Sequence, residues 1–176
     1  MFVDQFYQDA AGGLHFLSAL DHDNAAASGL PLPDPSWAKI SNEAADAIQH
    51  PPLTLSQAQD AQIALIDAAY AAAVTQSVMF AASGGTPKAF QADIGSQTVL
   101  FQATQGYTIA GAVPDGFYWK AEDNSLVPFT LSDLKGLYEA MLAQGWAAFQ
   151  KRTSLKANIR AATTTTVQAV QAITWG

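Results

Sequence analysis

Three histidines, fifteen carboxylates and no cysteine are the side chains in this 176-residue chain that could bind a metal, move a proton or attack an electrophile. The histidines, His15, His22 and His50, all fall in the first fifty residues. Asp21-His22-Asp23 has the residue types of a metal or acid/base cluster, but consecutive side chains diverge and no second His or Glu pair at ligand spacing stands nearby. It reads as a solvated loop. Ser-His-Asp hydrolysis needs a serine on a strained turn, and the chain contains no Gly-x-Ser-x-Gly. Gly84-Gly85-Thr86-Pro87-Lys88 lacks the spacing of a phosphate loop and follows a helical pattern instead of a strand, so its glycines read as a helix terminator. Asp93, Asp115, Glu122 and Asp123 could supply the carboxylate pair of a glycoside hydrolase. Asp93 reads instead as a helix cap and Asp123 as a turn residue. Phe117, Tyr118, Trp119 and Phe129 could stack on a sugar or a peptide, although aromatics on adjacent strands more often fill a core. No pattern gives positive support to catalysis, and no cofactor or metal is implied.

The elements that would carry these residues follow from periodicity and punctuation. Residues 2–7 and 14–17 are short apolar runs around Gln8-Asp9-Ala10-Ala11-Gly12-Gly13, which predicts a β-hairpin. Asp21 to Pro35, with Pro31, Pro33 and Pro35 at alternate positions, should run extended, pinned by Trp37 and Ile40. Ser41 is a suitable N-cap for a short helix to about His50, which Pro51-Pro52 stops. Ser56 with Gln59 has the form of a capping box opening a helix whose face is Ile63, Ile66, Tyr70, Val74 and Val78, closed by Ser83 to Pro87. A strand is expected at 88–92, a helix from Asp93 carrying Val99, Leu100 and Ala103, and two strands at 117–120 and 126–129. Thr130 or Ser132 should cap a helix of some thirty residues. Its stripe, Leu131, Leu134, Leu137, Tyr138, Met141, Leu142, Trp146, Phe149, Leu155 and Ile159, has the spacing of one buried face. Four threonines, Thr163 to Thr166, separate it from a last helical segment. The fold class is α+β: a mostly helical C-terminal domain with a small strand component over 53–176, preceded by a small hairpin module over 1–52.

Composition narrows the function classes. With 49% hydrophobic residues the chain can bury a continuous core, and no window approaches a membrane span, so no membrane partner is expected. The start has neither basic n-region nor apolar h-region, which predicts a protein retained in the cytosol that makes it. Residues 1–70 carry nine carboxylates against Lys39 alone, so this front repels phosphate backbones and nucleic acid is not an expected partner. Lys151, Arg152, Lys156 and Arg160 sit where cations oppose the carbonyl end of a helix dipole. Alanine-rich helix faces would permit a homo-oligomer.

A wider pattern joins these residues: Phe90-Gln91-Ala92-Asp93 followed by Ser96-Gln97, Trp119 with Asp123-Asn124, and Leu155-Lys156 with Ile159 and Ala162. By these, residues about 60–175 resemble an uncharacterised domain of tailed-phage and prophage tail proteins, common at the C-terminal end of tail-fibre assembly proteins. Phe6-Tyr7, Gly13, His15-Phe16, and Leu32-Pro33 before Ile40-Ser41 are similar to the opening of tail-fibre assembly chaperones. The resemblance implies a small protein that binds the distal part of a trimeric tail-fibre protein and assists its folding or trimerisation in the host bacterial cytoplasm. Retention in the virion, as a permanent component of a fibre tip or baseplate involved in host attachment, is the alternative it leaves open; a glycan hydrolase is a third. Phe2, Phe6, Tyr7, Phe16 and Trp37 are the expected partner-binding patch, against the simpler role of filling the module's own core.

Overall fold

The computed structural model describes residues 3–29, 32–83, 85–161 and 163–176; Phe2, Pro31, Gly84 and Ala162, named above, lie outside the described residues. The chain divides into two compact units, Met1–Leu53 and Thr54–Gly176.

In the first unit the expected hairpin forms from β1 (Gln5–Gln8) and β2 (Leu14–Leu17), with Phe6 opposite Phe16 and Tyr7 opposite His15. The turn closes because Asp9 Oδ1 accepts the backbone N–H groups of Ala11 and Gly13. A third strand, β3 (Ala38–Ile40), pairs with the other edge of β1, so β1 is central in the order β2-β1-β3. The hairpin's β1 edge is therefore already occupied. The expectation of an extended run over 21–35 is corrected for its first half: Ala19–Ser28 is a helix, α1. Ser18 caps it in a capping box with Asp21, Asp4 Oδ1 accepts the N–H of Ala19, and Gly29 ends it at φ 72°, a left-handed conformation glycine adopts without a Cβ clash. His22 is thus buried on a helix and not part of a solvated loop. Helix α2 (Asn42–Gln49) is capped by Ser41 as expected.

The second unit opens with α3 (Leu55–Val74), whose capping box is Thr54 with Gln57, two residues earlier than the Ser56–Gln59 pair. Helix α3 stops at Val74, well short of Ser83, and Thr75 follows as its C-cap, with its hydroxyl donating to the Ala71 and Ala72 carbonyls. Val78 accordingly leaves the helix face and starts β4 (Val78–Phe80), which pairs with β5 (Lys88–Phe90). Asp93 caps α4 (Ile94–Ala110), and β6 (Tyr118–Lys120) pairs with β7 (Leu126–Pro128) around a turn in which Asn124 takes φ 66°. Helix α5 (Leu131–Arg160) is thirty residues long, and Thr166 caps the short α6 (Val167–Gln171). The architecture is α+β, helices with small antiparallel strand pairs.

Two apolar clusters hold this unit. One gathers Phe90, Leu100, Phe129, Leu134, Leu137 and Met141, with the rings of Phe90 and Phe129 edge to face at 5.4 Å. The other joins Ile63 and Ile66 of α3 to Ile159 of α5 and Val170 of α6. Helix α5 contributes its first three turns to one cluster and its last to the other. The middle of its stripe is not buried, contrary to the expected single buried face: Leu142, Trp146 and Phe149 are 55%, 59% and 43% exposed. Nor do the basic residues merely oppose a dipole. Arg152 Nε lies 2.6 Å and Lys156 Nζ 3.0 Å from Asp67 of α3, clamping the two helices together.

The start of α5 is fixed by Asp133. Its Oδ2 accepts from the N–H and hydroxyl of Thr130, closing a capping box, and its Oδ1 accepts from the N–H and hydroxyl of Ser83 at 2.7 and 2.8 Å. Burial works to raise the Asp133 pKa, but the hydrogen bonds from Thr130 and Ser83 outweigh it and hold the carboxyl below its ordinary value. A depressed folded-state pKa stabilises the fold above the unfolded carboxylate pKa and is lost as pH falls through the folded value. Asp133→Ala should cost about 1–2 kcal/mol in urea unfolding at pH 7, because it removes the capping-box partner of Thr130 and the tie to Ser83. Wild-type stability should hold down to about pH 5 and fall below about pH 4, and the variant should show a shallower acid slope.

Candidate interaction surfaces

The expected patch of the first unit is split by strand alternation. Phe6 and Phe16 are cross-strand partners with ring centroids 4.9 Å apart, and Phe16 is 51% exposed. Phe16 also edges a cleft of about 320 Å³ with Leu17, Asp21, Ala25 and Leu32. Tyr7, one residue on, turns to the opposite face and is only 8% exposed. There His15 stacks on Trp37 at 3.8 Å with an interplanar angle of 7° and holds Asp9 Oδ2 at 2.8 Å through Nε2. The structure therefore brings Phe6 and Phe16 together on one face, and places Tyr7 and Trp37 with His15 on the other. The His15 contact, with the two backbone bonds of the turn, lowers the Asp9 pKa.

The second unit carries the larger feature, an open groove of about 610 Å³ that sequence reasoning missed. It is lined by Tyr70 and Val74 of α3, Gln97 of α4, and Tyr138, Met141, Leu142, Gly145, Trp146 and Phe149 of α5, of which Leu142, Trp146 and Phe149 are the exposed ones. Trp146 and Phe149 stack at 5.7 Å with an interplanar angle of 19°. The walls are fixed by amides that complete the C-terminus of α3. Gln97 Nε2 donates to the Val74 carbonyl at 2.9 Å, and Gln144 Nε2 to those of Ala73 and Gln76 at 3.1 and 2.7 Å. The available signal was the very strength of the apolar spacing, since a stripe running unbroken past the reach of its packing partners must face solvent somewhere.

Two carboxylates of the hydrolase alternative, Asp93 and Asp123, have local partners. Asp93 accepts from the N–H and hydroxyl of Ser96 at the start of α4. Asp123 pairs with Lys88 Nζ at 2.7 Å and accepts from the N–H and hydroxyl of Ser125, contacts that hold its pKa far below the usual carboxylate range. Both stay ionised at neutral pH, which suits a cap and a turn and not a general acid. Glu122 donates its backbone N–H to the Ala89 carbonyl. Among the aromatics, Phe129 is buried, Phe117 and Trp119 pack against the core, and Tyr118 is exposed on a cleft with Gln91, Asp93 and Lys120. Among the described residues, no group of three or more His, Asp or Glu could hold a metal, and no helix is long and apolar enough to cross a membrane.

The two faces of the N-terminal sheet differ in what a substitution should do. Tyr7→Ala should lower stability by about 2–4 kcal/mol through a cavity. Phe16→Ser should cost about 1 kcal/mol or less. Urea unfolding of both variants checks this, and a Tyr7→Ala protein as stable as wild type would overturn the assignment of Tyr7 to the core.

No curated protein and no solved structure matches the chain. A family model does match, over residues 57–174, which takes in α3 to α6 and the whole groove, and the chain belongs to that family, described as "Domain of unknown function (DUF4376)".

Proposed function

We propose that the protein is a tail-fibre assembly chaperone of a tailed phage or prophage, binding the distal part of a trimeric fibre and assisting its folding and trimerisation. The observation that carries this reading is the Phe6–Phe16 pair, half exposed on a small sheet whose outer strands are β2 and β3. An intertwined fibre exposes apolar surface and strand edges before its three chains find their register, and covering them suppresses aggregation. A small sheet with an aromatic face and outer strand edges suits that task by edge-to-edge pairing. The order of motifs that resembles tail-fibre assembly proteins supports the same reading. The family match over 57–174 coincides with the part that resembles the phage tail domain. Side chains arranged as caps, turns and core favour binding over catalysis.

Co-expression with the fibre protein encoded alongside it, followed by pulldown and mass spectrometry of purified particles, tests the proposal. Binding without persistence in the particle is expected. Persistence at fixed stoichiometry would make the protein a permanent tail component, and absence from both would sink the fibre reading. Phe16→Asp should weaken fibre capture about tenfold or more while leaving the far-ultraviolet spectrum unchanged.

A further inference from the structure

We propose that the cleft between the end of β5 and strand β6 is a binding site for a neutral saccharide. The cleft holds about 590 Å³, within the range of small-ligand sites. Its two sides come from firmly packed chain. Phe90 and Ala92 are buried while Gln91 between them is exposed, and Asp93 follows as the cap of α4. Opposite, Tyr118 and Lys120 share one face of β6, while Trp119 between them packs against the core with Phe117 and Phe129. Gln97 Nε2 donates to the Ala92 carbonyl at 2.6 Å, and the Glu122 N–H donates to the Ala89 carbonyl at 2.9 Å, which ties the end of β6 to β5. The site is thus formed before a ligand arrives, and binding need not order it.

The lining selects the ligand. The Tyr118 ring is 53% exposed and makes no ring contact among the described residues, and there the Gln91 amide and Lys120 ammonium have no hydrogen-bond or ion-pair partner. Each oxygen of the Asp93 carboxylate takes one group of Ser96 and keeps a second acceptor position. Free donors, free acceptors and an aromatic face therefore stand side by side. A pyranose uses all three: its flat face of C–H groups lies on the ring, and its hydroxyls both donate and accept. An apolar ligand would instead strip water from Asp93 and Lys120 and return nothing. One carboxylate against one ammonium leaves no net charge, which favours a neutral sugar over an acidic one. A single ionised carboxylate in the lining suits binding and not cleavage, which takes a pair with one member protonated. The inference is independent of the fibre reading, since it uses the second unit and a ligand of another class.

Nitrogen-15 NMR of the full chain, titrated separately with the methyl glycosides of glucose, galactose, mannose and N-acetylglucosamine to about 50 mM, tests it. At least one glycoside should shift the Trp119 indole and the amides of Gln91, Tyr118 and Lys120, saturating with a Kd of about 1–10 mM, and no free sugar should be released. Tyr118→Ala should weaken that binding about tenfold or more, whereas Tyr118→Phe, which keeps the ring, should stay within about threefold of wild type. Both should melt within a few degrees of wild type, because Tyr118 is exposed. No shifts at the cleft with any of the four, binding that survives Tyr118→Ala, or release of free sugar would overturn the proposal. Fibre capture is scored separately: Tyr118→Ala losing the fibre while wild type binds no glycoside would assign the cleft to the fibre and overturn the saccharide site. Glycoside binding without fibre capture would leave this inference standing and remove the functional one.

Discussion

Helix α5 has to serve two separate apolar clusters with one continuous stripe, and the rest of the second unit is arranged around that constraint. Leu134, Leu137 and Met141 lock its first turns to the strands and α4, while Ile159 locks its last turn to α3 and α6. A thirty-residue helix is about 45 Å long, more than one small core can cover. Its two ends therefore enter different clusters, and along its middle Ala148 is buried while Leu142, Trp146 and Phe149 stay exposed. Asp133 sets where the helix begins by capping it through Thr130 while gripping Ser83 in the loop that follows β4. Displacing that carboxylate would loosen the helix start and the loop together. Close packing nearby leaves little room for adjustment: a Cβ at Gly136 would stand 3.0 Å from the Phe80 ring.

Local rules made much of this architecture legible. Ser41 and Asp93 cap the helices expected of them, Thr130 and not Ser132 caps α5, and the hairpin of β1 and β2 follows from two apolar runs around a turn-forming linker. Helix α1 is readable too: Ser18 and Asp21 form a capping box, but the prolines that follow the helix, at 31, 33 and 35, draw the whole stretch into an extended reading. What could not be read depended on context. The carbonyls at the end of α3 are satisfied by glutamines from two other helices, which leave no mark on the apolar period that continues to Val78. The basic residues near the end of α5 found a specific partner, Asp67, eighty-five positions away. Periodicity identifies the apolar face of a helix but carries no information on which part of that face a neighbour reaches, and the groove exists for that reason.

The N-terminal sheet makes the same point with a period of two. Phe6 and Tyr7 are consecutive aromatics of similar size, yet one meets Phe16 on an accessible face and the other is buried opposite His15. Grouping them as one patch ignores the alternation of strand side chains. The fold sorts them into a structural residue and an accessible one, and the third strand sharpens the distinction. Pairing with β3 consumes one edge of β1, and Gln5 Nε2 adds a 2.6 Å hydrogen bond to the Ile40 carbonyl. Edge-to-edge recognition by this unit must therefore use β2 or β3, never β1.

The charges beside the groove are organised by one carboxylate, Asp67. Arg152 stands three residues after Phe149 on the same side of α5, with its guanidinium 4.9 Å from the ring centroid of Tyr70, a wall of the groove. Left unpaired, it and Lys156 would be two cations at the groove's end, each demanding water. Asp67 reaches across from α3 and holds both, leaving one net positive charge where there would be two, and ties the groove's two helices together. The contacts that hold Asp67 keep its pKa below the ordinary carboxylate value, Arg152 foremost and Lys156 next, so the clamp stays ionised throughout the neutral range. The glutamine caps tie α4 and α5 to the end of α3, and a carboxylate outside the groove's lining halves the charge at its end.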